Sequence, residues 1–198
     1  MFSKRQMAVF YLAATLTAAF AIGATWVQLQ PPEKPLEHYR GLPAFALTNQ
    51  DREPVTLDDL KGKVWLADFV YTTCPGPCPI VSAHMARLQK KLPADPNARI
   101  VTFSTDPEND TPDVLKAYAA RFGATDRWTF LTGPKDEVYN LIQHGFMLPI
   151  AAPAGAQIIH STRIMLVDKG GVVRNFYDGT AVDADGQIIA DMRRLLEE

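Results

Sequence analysis

The chain has 198 residues and a net charge of −2, the size of one ordinary domain. Apolar residues make up 47% and charged ones 21%, which excludes a wholly disordered protein. Without Lys4 and Arg5 the balance falls to −4, and no block of basic residues occurs, so nucleic acid is not expected as a partner. Two cysteines exclude a scaffold built on several disulfides.

Residues 1–32 contain no charge besides Lys4 and Arg5. Residues 7–27 form an uncharged run of 21 residues, which as a helix would span roughly 31 Å, about the thickness of a bilayer core. The two basic residues ahead of it place the N-terminus in the cytoplasm and send the rest of the chain across. Residues 1–30 are therefore expected as one uncleaved transmembrane helix in a bacterial inner membrane, with the C-terminal domain in the periplasm. Trp26 would be an interfacial anchor. A cleaved signal peptide, with Ala21 and Gly23 as its small residues, is the competing reading. Pro31, Pro32 and Pro35 make residues 31–40 a semi-rigid stalk. A single domain over 41–198 follows.

Within that domain, residues 43–47 and 55–57 read as short strands around the polar turn 49–52. Residues 64–71 are nearly all apolar and fit a strand buried on both faces. After a loop with two cysteines, Val81, Met85, Leu88 and Leu92 recur at helical spacing until Pro93. Residues 99–104 form the next buried strand. Thr111 caps a helix with Pro112 at its first turn, and Gly123 ends it. Residues 128–131 read as a strand, and Val138, Leu141 and Ile142 as a helix closed by Gly145. Residues 162–167 and 172–177 flank Asp168-Lys169-Gly170-Gly171, a hairpin signal. Ile188, Ile189, Met192, Leu195 and Leu196 mark a last helix. Alternating β and α segments predict an α/β fold with a parallel core, an N-terminal hairpin and a later antiparallel hairpin.

The chemistry concentrates in Cys74-Pro75-Gly76-Pro77-Cys78-Pro79, between a buried strand and a helix, where sites in α/β sheets gather. The helix N-terminus favours a thiolate there, whereas the absence of charge from Phe69 to Ala86 opposes ionisation. Three readings stand side by side: a structural disulfide, a redox-active dithiol, and a metal site. A disulfide here closes a short loop and gains little. The spacer is one residue longer than in Cys-X-X-Cys oxidoreductases. Two thiolates at this spacing suit a soft ion such as Cu(I), or zinc. No c-type haem motif occurs.

Of the four histidines, His38 reads as a solvated residue of the stalk, His84 as surface or core edge, and His144 as a helix C-terminal residue. His160 precedes the strand 162–167. If that strand is antiparallel to its neighbour, His160 lies beside Cys74 and Cys78 and completes a set of three ligands. A closed structural zinc site would need a fourth. Asp106, just past a strand end, either orients a ligand or is a turn residue before Pro107.

Residues 69–79, residues 104–112 and His160-Ser161-Thr162 leading to Asp168 and Gly171 together resemble the Sco/SenC family. The resemblance covers about residues 40–198. It implies a thioredoxin-like fold and a copper ion, Cu(I) or also Cu(II), held by Cys74, Cys78 and His160. It further implies a role as copper chaperone in building the dinuclear copper centre of cytochrome c oxidase. The copper-bearing oxidase subunit and other copper carriers would be its partners. A thiol–disulfide oxidoreductase using Cys74 and Cys78, which reduces the recipient's copper-site cysteines, is the alternative. A redox or copper sensor is a further one. Thioredoxins carry a cis-proline near the active cysteines; residues 160–163 contain none and offer His160.

Overall fold

The computed structural model describes Met7, residues 15–18, 35–152, 157–181 and 183–198. The chain divides into two units, Met1–Pro35 and Leu36–Glu198. In the first, Met7 and residues 15–18 are helical. The anchor expected over 1–30 otherwise lies outside the described residues, among which no helix is long and apolar enough to cross a membrane.

The second unit is built on an eight-stranded sheet in the order β1-β10-β9-β4-β5-β6-β2-β3. Its strands are β1 (Arg40–Gly41), β2 (Ala46–Asn49), β3 (Pro54–Thr56), β4 (Val64–Val70), β5 (Ala98–Ser104), β6 (Trp128–Thr132), β9 (Arg163–Val167) and β10 (Val172–Asp178). A separate pair joins β7 (Ile150–Ala151) to β8 (Ile159–His160). The helices are α1 (Leu57–Leu60), α2 (Cys78–Lys91), α3 (Pro112–Arg121), α4 (Lys135–Asn140) and α5 (Asp185–Glu197). Strands β4, β5 and β6 are parallel, because α2 and α3 carry the chain back across the sheet each time. The flanking pairs are antiparallel, with β9 against β4 and β2 against β6.

All seven residues of β4 are buried, as its apolar run predicts for a strand covered on both faces. Val64, Leu66 and Val70 face one core cluster with Val81, Met85, Leu88, Leu115, Trp128 and Ile188. Trp65, Ala67 and Phe69 face the other, where Phe69, Phe103 and Phe146 pack with centroid separations of 4.9–5.8 Å. Each fully buried side chain of this size contributes about 1.5–3 kcal/mol. Asp68 interrupts the apolar run on the first face. It is fully buried, takes a hydrogen bond from Thr102, and burial pushes its carboxyl up to about 7.

The strand expected over 55–57 stops at Thr56, which accepts from Asp59 N–H in a capping box and starts α1. The helix expected to close at Gly145 does so through a π-helical turn, Leu141–Gly145. A side chain at Gly145 would meet Pro43 Cδ at 2.9 Å, so only glycine allows this close approach. The compact unit begins at Leu36, inside the segment expected as a stalk. The Leu36 and Glu37 carbonyls accept from buried Arg174, and Tyr39 N–H donates to Val173 O at 3.0 Å.

His84, expected at the surface or the core edge, is buried instead, 1% exposed. Its Nδ1 lies 2.8 Å from the Gly179 carbonyl and its Nε2 2.7 Å from Asp185 Oδ1. Nδ1 donates to the carbonyl oxygen, and Nε2 faces the carboxylate. Lys91 and Arg87 also bind Asp185. Burial alone would raise the Asp185 carboxyl, but its hydrogen bonds from Lys91, His84 and Arg87 hold it below the usual range. This polar cluster ties α2 to the β10–α5 connection. Gly179 N–H in turn donates to Thr162 O at 3.0 Å, an approach that leaves no room for a Cβ.

Candidate metal centre

The carboxyl ends of β4 and β5 open onto one edge of the sheet. Past Val70 the chain turns through Tyr71-Thr72-Thr73 to Cys74, whose N–H donates to Tyr71 O at 3.1 Å. Pro77 occupies the N-cap of α2 and makes no side-chain cap. Cys78 is thus the first helical residue, with Pro79 behind it where a missing N–H costs nothing. Both cysteines are free thiols, Cys74 9% exposed and Cys78 wholly buried.

His160 arrives on the chain just ahead of β9, the strand beside β4. Strand β9 is antiparallel to β4, as the ligand argument required, so its start lies at the edge where β4 ends. The structure adds a device that periodicity does not reveal: His160 sits on the two-residue strand β8, paired with Ile150 of β7. Its Nδ1 donates to the Ser161 carbonyl at 3.0 Å, which leaves the Nε2 lone pair to accept from the Cys78 thiol. That Nε2 is 3.3 Å from Cys78 Sγ. The Tyr71 ring meets the imidazole edge to face, centroids 5.6 Å apart. The ligand atoms of Cys74, Cys78 and His160 all lie within 4.8 Å of one another.

The two thiols are electrostatically unlike. Burial opposes ionisation of Cys74, but hydrogen bonds from the Cys78 side chain and backbone, Gly76 N–H and Tyr71 outweigh it and lower its value. Gly76 N–H is 3.4 Å from the Cys74 sulfur. At Cys78 burial dominates, joined by the neighbouring Cys74 and the charge of Asp68, and the thiol is pushed far up. The helix N-terminus expected to favour a thiolate at Cys78 is outweighed there by desolvation. Burial also lowers His160, more than its backbone hydrogen bond raises it, so the imidazole is neutral and ready to coordinate. Tyr71 is held up to about 12, by burial first and then by its hydrogen bond with Cys74.

Two sulfurs and one imidazole nitrogen suit a soft or borderline ion. Three protein donors leave one coordination direction open, unlike a closed four-ligand structural site. His38 and His144 are exposed and stand apart from this cluster. Asp106 proves to be a turn residue: its backbone oxygen accepts from Asn109 and Asp110, and its carboxylate accepts from Asn109 Nδ2 at 2.8 Å. Asp110 was not singled out by its sequence pattern, yet it is fully buried against the cysteine loop.

Residues 33–197 match the SCO1/SenC family model. The chain belongs to the SCO1/SenC family. A Bacillus subtilis SCO1 protein homolog is 42% identical over 153 residues, covering 75% of this chain and 79% of that protein. The structure of BsSco, a Sco family member of the cytochrome c oxidase assembly proteins in which a disulfide switch was identified, superimposes with a TM-score of 0.73 at 40% identity. It covers 83% of this chain and 96% of that one. Copper-bound ScoI of Bradyrhizobium japonicum matches with a TM-score of 0.67 at 25% identity, over 79% of this chain and 100% of its own. The thioredoxin-like α/β fold expected for the domain is thereby shown.

Proposed function

We propose that this SCO1/SenC protein binds one copper ion through Cys74, Cys78 and His160 and assists assembly of the dinuclear copper centre of cytochrome c oxidase. The convergence of two thiols and an imidazole Nε2 within 4.8 Å carries this reading. Copper bound in a solved relative, and the oxidase-assembly role of the BsSco relative, support it. Cu(I) suits the sulfur-rich set, and the imidazole also admits Cu(II). The open side of the site is where a copper carrier delivers the ion and the copper-bearing oxidase subunit removes it. Residues 1–30 anchor the protein in a bacterial inner membrane, residues 31–40 lead out of it, and residues 41–198 work in the periplasm.

A second activity of the same residues is favoured by the contrast between the thiols. Cys74, with its lowered value and the less complete burial of the two, is the attacking sulfur, and Cys78 the resolving one. Reduction of a recipient's disulfide would pass two electrons and two protons to it and leave Cys74 and Cys78 joined.

A strain lacking the protein should assemble oxidase deficient in copper, with activity restored by the wild-type gene but not by Cys74→Ser or Cys78→Ser. Oxidase with full copper content in the deleted strain would contradict the assembly role.

A further inference from the structure

The loop between β5 and α3 packs against the loop that carries Cys74. Thr105 N–H donates to Val70 O at 2.7 Å, where β4 ends, and the Thr105 hydroxyl reaches the same carbonyl at 3.2 Å. One turn further, Asp110 is 0% exposed. Its Oδ1 takes the Thr72 hydroxyl at 2.6 Å, and both its oxygens lie 3.2 Å from Thr72 N. Its Oδ2 takes the Ser104 hydroxyl at 2.7 Å. Ser104 is itself oriented by Asp106 N–H, which donates to its oxygen at 3.0 Å.

Both donors of Thr72 therefore end on one carboxylate. Thr72 stands two residues before Cys74 and one after Tyr71, whose ring and hydroxyl touch His160 and Cys74. From Phe69 to Ala86 the loop and helix have no charge of their own to fix this turn. The anchoring charge is supplied from the neighbouring loop.

We propose that Asp110 is a positioning residue of the metal centre, holding the Tyr71–Cys74 turn so that the Cys74 sulfur faces Cys78 and His160. This rests on the three-ligand reading above. Outer partners that orient a ligand typically cost 10- to 100-fold in metal affinity when removed. Asp110 acts one step further back, on the backbone that presents the sulfur.

The test compares Asp110→Ala and Asp110→Asn with Asp191→Asn in the reduced full chain. Asp191 is an equally buried carboxylate on α5 that binds Tyr177 and Asn175 of β10 and makes no hydrogen bond to the cysteine loop. Cu(I) affinity by chelator competition, the sulfur-to-Cu(II) charge-transfer band and the thermal midpoint are measured on each. Asp110→Ala should weaken Cu(I) binding about 10- to 100-fold and shift the band. Asp110→Asn, which keeps an acceptor for the Thr72 hydroxyl, should recover part of both. Asp191→Asn should lower the midpoint and leave affinity and band unchanged. Asp110→Ala with wild-type affinity and band, or a loss no larger than that of Asp191→Asn at a matched midpoint, would overturn the proposal. If Asp110→Ala does not fold, Asp110→Asn carries the comparison by the same criteria. A metal-free reading separates this from the ligand assignment: the alkylation rate of Cys74 by iodoacetamide should change in the Asp110 variants relative to that of Cys78. An unchanged rate would count against Asp110 whether or not wild type binds copper, whereas absent copper binding in wild type would count against the ligand set.

Discussion

Replacing His160 with alanine is expected to weaken copper binding by more than about 100-fold, exceeding the usual loss when only an outer partner of a ligand is removed. The expectation follows from how the ring is held. Nδ1 is engaged by the Ser161 carbonyl and Nε2 faces the sulfurs, so His160 is presented as a ligand with its lone pair already aimed. Burial keeps the imidazole neutral near pH 7, so no proton has to leave the ring before metal enters, whereas the Cys78 thiol must give up its own. The sign in pH follows: binding persists at and above neutral pH and weakens in acid, where the ring is protonated. The fold should survive, because β8 is only two residues long and lies outside the main sheet. Chelator competition on the reduced protein measures the effect, with free-thiol counting to show that both cysteines remain. Equal affinity in the variant and the wild type would remove His160 from the site.

Oxidation of Cys74 and Cys78 to each other is expected to abolish copper binding at this site. Forming the bond removes two electrons and two protons and leaves neither thiolate for the metal. The thiols lie within 4.8 Å of each other in the free state, so the two outcomes draw on one geometry. Copper occupancy then follows the redox state of the compartment. The check is to oxidise the protein, confirm that no free thiol remains, and titrate copper before and after reduction. Stoichiometric binding in the fully oxidised protein would contradict the switch.

Much of this architecture was legible in the residues, for reasons specific to each element. The apolar run 64–71 fitted a strand covered on both faces, of which β4 takes Val64–Val70, and Thr111-Pro112 with Gly123 marked both ends of α3. The cysteine pair between strand and helix located the site. What escaped was set by tertiary contact. The pairing of β7 with β8 has two residues per strand, too few for any period, yet it delivers His160. His84 carries a polar ring on a helix whose apolar spacing left it at the margin, and only the partners Gly179 and Asp185, 95 and 101 residues away, make its burial tolerable. Asp110 and Asp106 are alike in the sequence of their loop. Which of them meets Thr72, 38 residues upstream, depends on how two loops pack. Likewise the raised value of Cys78 reflects burial that a position at a helix start does not disclose.

X-ray absorption at the copper edge of the reduced, copper-loaded protein tests the central claim most directly. Two sulfur scatterers and one imidazole nitrogen per copper are expected, with the imidazole signature lost in His160→Ala and sulfur lost in the Cys74→Ser, Cys78→Ser double variant. A shell of oxygen and nitrogen alone in the wild type, or a spectrum unchanged in those variants, would contradict a centre built from Cys74, Cys78 and His160.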